Sequence, residues 1–421
     1  MEINAIKGMN DILPGDIAKW HFVENTARRI FHIYGFTELR TPVLERTELF
    51  FRGIGDDTDV VEKQMYTFTD KSGTAVALRP EATASVLRSV IEHGLLGTDP
   101  IQKLYSMGPM FRYERPQKGR YRQFHQINVE RLGEDSPSSD AETLSMAYAL
   151  ALALGLKGLK MEVNSLGCDD CRQEFKRALI AFLKDKEKSL CSDCSRRMKT
   201  NPLRVLDCKV VSCRQAVEGA PAIEDFLCEG CRVHYNKVQD ALRSFDVPFE
   251  KNPRLVRGLD YYTKTTFELT AEGLGSQNAV AGGGRYDNLV KTLGGPDVSG
   301  IGFAFGIERI IMLLDHHAPE KKGCFVVLQE DDAVQAWALE VLSMLRTAYI
   351  PAEAAFKKSF KAQMRKAGKS GYPLCIILGQ AELEKSMVTI KDLRDSSQIQ
   401  VSRTEALKKI RSMLDKQGEK K

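Results

Sequence analysis

The 421-residue sequence predicts an α+β protein: an antiparallel sheet flanked by helices, a helical insertion, and a small C-terminal α/β domain. Three features predict it. Two strand-like segments, Gln102 to Glu114 and Arg122 to Leu132, are joined by a polar loop and bracketed by helical patterns. The span Cys168 to Cys231 turns to charged, mostly helical sequence holding eight of the ten cysteines. Beyond Gly323, apolar runs alternate with a helical stretch.

At 43% apolar and 28% charged residues the chain is a soluble globular type, neither collagenous, fibrous nor disordered. Its length fits two or three units. The boundaries expected are a core over 1–320, interrupted at about 168–250, and a second domain over 323–421. Basic residues number 61 against 56 acids, and 17 of the basic and 12 of the acidic ones fall between Gly323 and Lys421. The whole excess therefore sits in the C-terminal quarter, where it suits a polyanion such as RNA. The first residues lack the basic and apolar regions of a secretion signal, and the longest apolar stretch, Ala147 to Leu156, is too short to span a bilayer. A cytoplasmic protein with no membrane partner is expected.

The elements follow in order. Trp20, Val23, Ala27, Ile30, Phe31 and Tyr34 recur three and four apart, predicting a helix over Lys19 to Tyr34 that stops at Gly35. Phe36 to Glu45 reads as extended chain limited by Pro42. In the strand Arg122 to Leu132, alternation sends Ile127 and Val129 to one face and Gln126, Asn128 and Glu130 to the other. Arg112 and Glu114 share a face of the preceding strand. Such a sheet face either carries a ligand or is simply solvated. Ser139 to Glu142 reads as a capping box opening an Ala/Leu-rich helix that ends at Gly155. After the insertion, glycine-rich strand-like segments appear at Gly282 to Gly284 and Gly300 to Gly306. The terminal domain shows apolar runs at Cys324 to Leu328, Leu374 to Leu378 and Met387 to Ile390, with a helix near Ala333 to Arg346.

Cys168-x-x-Cys171, Cys191-x-x-Cys194 and Cys228-x-x-Cys231, with Cys208 and Cys213, could supply two zinc sites of four thiolates each. They could instead be small buried side chains of a helical insertion. Both readings stand, and no metal ligand is assigned among the site residues. The seven histidines (His21, His32, His93, His125, His234, His316, His317) form no close metal spacing and no triad, so none is assigned to catalysis.

Several segments resemble the class II aminoacyl-tRNA synthetases, and within them the histidine-specific family. Gly35 to Pro42 is similar to the first class motif, Phe111-Arg112-Tyr113-Glu114 to the second, and Gly302 to Arg309 (GFAFGIER) to the third. Arg257-Gly258-Leu259-Asp260-Tyr261-Tyr262 and Ala281-Gly282-Gly283-Gly284-Arg285-Tyr286-Asp287 resemble signatures of the histidine branch, as do Leu78 to Thr83 and Arg120 to Gln126. Ala304 stands where many class II enzymes have glycine.

The resemblance implies a class II synthetase core, a C-terminal anticodon-binding domain, a homodimer built on the first motif, and an insertion near the acceptor arm of tRNA. It implies activation of L-histidine with ATP, aided by Mg2+, and transfer to tRNA(His). Arg112, Arg257 and Arg309 are then the catalytic cations, with Glu114 and Arg120 helping to seat ATP. Glu81, Thr83 and Gln126 would hold the α-ammonium group, Glu130 and Tyr262 the imidazole, Arg112 the α-phosphate, Arg309 the γ-phosphate, and Arg257 the carboxylate and α-phosphate between them, with Tyr261 either in the pocket or merely packed. The chemistry fits. A carboxylate attacking a phosphate is already ionised, so catalysis rests on cations that align reactants and stabilise charge. The rival implication is a non-catalytic histidine-sensing relative, the regulatory subunit of ATP phosphoribosyltransferase. A pure RNA-binding module would leave the polar sheet face unexplained.

Overall fold

The computed structural model describes residues 3–55, 58, 60–259, 261–275, 278–315, 321–356 and 358–415. Asp260, His316 and His317 therefore lie outside the described residues. The chain divides into two compact units, Met1–His316 and His317–Lys421.

In the first unit the strands are β1 (Thr37–Glu38), β2 (Leu44–Arg46), β3 (Tyr66–Thr69), β4 (Ala75–Leu78), β5 (Gln102–Phe111), β6 (Gln123–Leu132), β7 (Lys160–Ser165), β8 (Phe249–Lys251), β9 (Thr263–Thr270), β10 (Ala279–Arg285) and β11 (Gly300–Gly306). Among the described residues, eight of them form one sheet in the order β1-β5-β6-β11-β10-β9-β7-β8, and β2-β4-β3 form a small second sheet. The large sheet is antiparallel through its centre, with parallel pairs only at its edges, β1 with β5 and β7 with β8. The direct β5–β6 connection makes an antiparallel pair, whereas the long insertion between β7 and β8 gives the crossover that a parallel pair needs.

Alternation along the central strands builds the core. Ile127, Val129, Phe267, Leu269, Phe303 and Phe305 point to one face and pack against three helices, Ile17–Ile33, Pro137–Ala153 and Glu229–Ser244. The first helix buries Trp20, Val23, Ala27 and Phe31, the predicted stripe, and Gly35 stops it at φ 76°.

Three local expectations are corrected. The helix predicted from Ser139 starts at Pro137, because Ser136 is the N-cap whose side chain accepts from Ser139 N–H, and proline occupies the first turn. The strand predicted to Glu114 ends at Phe111. Arg112 N–H still donates to Arg122 O (2.8 Å), but Glu114 N–H turns back to Arg112 O, so Arg112 and Glu114 share no strand face. Phe36 to Glu45 is broken into β1 and β2 around Pro42, where the buried Arg79 guanidinium donates to Thr41 O and Thr41 Oγ1.

The insertion holds helices Asp169–Lys184, Ser192–Thr200, Val211–Ala216 and Glu229–Ser244. Phe175, Leu179, Leu183, Met198 and Val205 form its own core, which also takes in Val256 and Tyr262 from beyond it. In the second unit a five-stranded sheet packs its core against helices Asp332–Thr347 and Arg403–Asp415. Among the described residues no helix is long and apolar enough to cross a membrane.

Candidate active site

The face of the large sheet turned away from the three helices is polar at its rim and hollow at its centre. Register explains both properties. Asn128, Ala304, Gly282 and Glu268 lie side by side across β6, β11, β10 and β9. A parallel row runs Glu130, Gly302, Gly284 and Thr266. The two middle strands contribute only glycine or alanine to these rows, so the floor is open while its flanks carry amide and carboxylate groups. The result is a cleft of about 760 Å³, large enough for a nucleotide with a second small molecule.

Glu81, Thr83, Arg112, Glu114, Arg120, Gln126, Arg257, Tyr261, Tyr262 and Arg309 all line this cleft. Glu130 is buried behind the lining, where its carboxylate accepts from Thr83 Oγ1 (2.7 Å) and from the Tyr286 hydroxyl. Burial pushes its pKa up to about 8, which favours the protonated acid at neutral pH. Glu81 is also raised by burial, against the pull of the Thr83 and Ala84 backbone N–H groups it accepts (2.7 and 2.9 Å). Those two bonds cap the helix Thr83–Glu92 and fix the carboxylate at the cleft.

Backbone carbonyls hold Arg112 and Arg309, and carboxylates hold Arg257 and Arg120. Arg112 Nε donates to Pro80 O (2.9 Å), and its guanidinium lies over the Phe124 ring at 5.2 Å. Arg309 donates to Gly119 O (3.2 Å) and Ala279 O (2.7 Å). Arg257 donates to Glu268 (2.8 Å), and its carbonyl accepts from Arg204 (3.1 Å). Arg120 pairs with Glu114 at 3.1 Å. Burial, followed by the nearby charge of Arg120, lowers the pKa of Arg309 from its ordinary value, with Arg112 adding to the effect. These cations are crowded together, which favours an anionic ligand. Gln126 Oε1, Asn128 Nδ2 and Arg257 Nε are buried without a hydrogen-bond partner among the described residues. Orphaned buried polar atoms on a cleft floor imply a ligand that completes them.

The triple glycine is strand rather than a tight turn, since Gly282 to Gly284 sit inside β10. A Cβ on Gly282 would lie 2.3 Å from the Arg257 guanidinium, and one on Gly283 would lie 2.0 Å from Gly302 O. Gly282→Ala should therefore displace a flexible side-chain end, keeping the fold while lowering activation by about 10²-fold. Gly283→Ala meets backbone and should instead lower the thermal melting point, at a cost of about 1–3 kcal/mol. Thermal denaturation beside an activity assay distinguishes the two. Equal losses of stability would contradict the seating of Arg257 on Gly282.

Tyr261 packs against Tyr262 (4.6 Å between ring centroids) and Tyr286 (5.8 Å) while also lining the cleft. His125 lies edge-on against Trp20 and meets Glu308 through Nδ1 (2.9 Å). Sequence reasoning gave no role to Asn128, Glu268 or Tyr286. Asn128 was visible on the polar face, and Glu268 alternates with Phe267 and Leu269. Nothing in the sequence marked the insertion residues Arg197, Arg204, Asp207 and Arg214 as cleft lining.

Comparison with known proteins gives the class. Residues 8–310 match the family model described as histidyl-tRNA synthetase, and residues 322–413 match an anticodon binding domain. The fold and cleft are thus those of an aminoacyl-tRNA synthetase. Histidine-tRNA ligases of Syntrophotalea carbinolica and Trichlorobacter lovleyi are each 51% identical, the first over 94% of this chain and 96% of its own, the second over 94% and 95%. The solved apo histidyl-tRNA synthetase of S. aureus is 35% identical, with a TM-score of 0.81 over 97% of this chain and all of that one. The chain belongs to the histidyl-tRNA synthetase family.

Proposed function

We propose that this chain is a histidine-tRNA ligase that activates L-histidine with ATP to histidyl-adenylate and transfers it to the 3' end of tRNA(His), releasing AMP and pyrophosphate. The observation that carries this reading is the convergence of Arg112, Arg257 and Arg309, from three separate segments, on a cleft whose floor holds unpaired polar atoms. The histidine-sensing alternative is disfavoured because full-length relatives at about half identity are ligases and the anticodon-binding domain is present.

In the first step the histidine carboxylate attacks the α-phosphorus of ATP, an O–P bond forms, and pyrophosphate leaves. Arg112 and Arg257 hold the carboxylate and α-phosphate together, and Arg309 binds the γ-phosphate, with Glu114 and Arg120 positioning the nucleotide. The imidazole sits toward Glu130 and Tyr262. Glu81, Thr83 and Gln126 receive the α-ammonium group. In the second step the 3'-terminal ribose hydroxyl attacks the acyl carbonyl and AMP leaves. Mg2+ takes oxygen ligands, and the cleft supplies carboxylates at Glu114 and Glu268 that suit it alongside the phosphates. When bound it neutralises phosphate charge.

The basic excess of 323–421 suits an anticodon stem, and the basic insertion residues at the cleft suit the acceptor end. The enzyme belongs in the cytoplasm, where translation supplies its substrates. The resemblance of Gly35 to Pro42 to the dimer-building motif of the class supports a homodimer. Sedimentation should give twice the chain mass of 47.2 kDa, and a monomer at micromolar concentration would contradict that assembly. The activity itself is tested by charging purified tRNA with labelled histidine. An acid-precipitable ester dependent on ATP is expected, and its absence from folded protein would overturn the proposal.

A further inference from the structure

Eight cysteines of the insertion are gathered into two groups of four. The sulfurs of Cys168, Cys171, Cys228 and Cys231 lie within 4.8 Å of one another, and so do those of Cys191, Cys194, Cys208 and Cys213. A zinc ion in a tetrahedron of thiolates at about 2.3 Å places its sulfurs roughly 3.8 Å apart. Here Cys168 and Cys171 are 3.5 Å apart and Cys191 and Cys208 are 4.0 Å apart, far longer than a disulfide of about 2.05 Å.

Cys168, Cys191 and Cys228 stand at the N-caps of helices Asp169–Lys184, Ser192–Thr200 and Glu229–Ser244, so each Cys-x-x-Cys pair opens a helix at its positive end. The two groups also repeat one contact. Cys228 N–H donates to Cys171 Sγ and Cys191 N–H to Cys213 Sγ, each at 3.1 Å. Backbone donors of this kind orient a metal-bound thiolate.

Simple packing explains the arrangement poorly. Cys324 and Cys375 of the second unit show what a packed thiol looks like, each buried within a strand. Among the described residues neither caps a helix or joins a group of four. In the insertion, by contrast, four sulfurs converge twice, from segments 57 and 17 residues apart.

We propose that the insertion carries two structural zinc sites, Cys168/Cys171/Cys228/Cys231 and Cys191/Cys194/Cys208/Cys213. Each is closed by four protein ligands, as in a structural rather than a catalytic site. The first ties the exit of β7 to the last helix of the insertion. The second brackets Arg204, which holds the Arg257 carbonyl, so zinc braces one wall of the cleft. That bracing role rests on the functional reading above, but the metal content does not.

The test is metal analysis of the full-length chain, expressed in zinc-replete medium and purified under reducing conditions without chelator. Two zinc ions per chain are expected. Cys228→Ser and Cys191→Ser should each fall to about one. Because a variant could misfold, the wild-type chain is also stripped and titrated with Co2+, which should give the visible absorption of tetrahedral thiolate cobalt at two equivalents. Zinc-free protein that takes up no Co2+ would overturn the proposal. So would iron in place of zinc, or two zinc ions retained in both serine variants. None of these readouts depends on aminoacylation, so failure of the zinc proposal and failure of the ligase reading are separable.

Discussion

Arg257→Ala yields a folded chain in which histidine-dependent pyrophosphate exchange falls by about 10³-fold or more. Removing one preorganised donor to developing charge costs about 10²–10³ in rate, and Arg257 offers a full charge besides. Its guanidinium lies against the Gly282 backbone, gives one N–H to Glu268 and keeps Nε unpaired, while Arg204 fixes its carbonyl. It is thus a positioned cation with a donor to spare. The fold loses little, because the pair with Glu268 is partly exposed and such pairs contribute about 1 kcal/mol or less. Arg257→Lys should not restore the rate, since an ammonium cannot make the planar two-pronged contact. Near-normal activation by the alanine variant, measured beside its melting temperature, would refute the role.

The second large effect concerns Glu130. Glu130→Ala should raise the histidine KM about 10- to 150-fold, the equivalent of roughly 1.5–3 kcal/mol for a hydrogen bond to a charged group, with ATP binding nearly unchanged. Equal losses for both substrates would undo the imidazole assignment. A pH signature accompanies it. Before histidine binds, the raised acid favours its protonated form below about pH 8, whereas an imidazole N–H needs an acceptor. Binding neutral imidazole, above about pH 6.5, therefore releases a proton from Glu130. Histidine affinity should strengthen between about pH 6.5 and 8 and level off above, and Glu130→Gln should lack this slope. Titration of histidine binding across that range checks it.

Much of this site was legible because strand geometry is periodic. Gln126 and Glu130 are four apart on one strand, so they share a face whatever the tertiary structure, and the buried Ile127 and Val129 confirm which face is core. The helix stripe from Trp20 to Phe31 was legible for the same reason. Arg112 was placed on a strand face that stops one residue short of it, because the change from ladder to turn depends on Gln64, far away in sequence, whose carbonyl accepts from Tyr113 N–H. The N-cap at Ser136 was missed because the Ser-x-x-Glu pattern lies three residues on, at Ser139 to Glu142, whereas Ser136 is followed at that spacing by Ser139. Glu130's link to Thr83 and Tyr286 joins three distant segments, and Arg204's hold on Arg257 spans 53 residues. Neither has a local pattern to reveal it. The cysteine spacing showed that two groups of four were available, while only the fold decides that Cys168 and Cys171 join Cys228 and Cys231.

The central claim is that this cleft activates histidine and no other amino acid. Amino-acid-dependent exchange of pyrophosphate into ATP, run without tRNA and with each standard amino acid in turn, tests it most directly. Exchange with histidine alone is the predicted result. Exchange with a different amino acid, or none with any from a folded chain that still binds histidine, would contradict it.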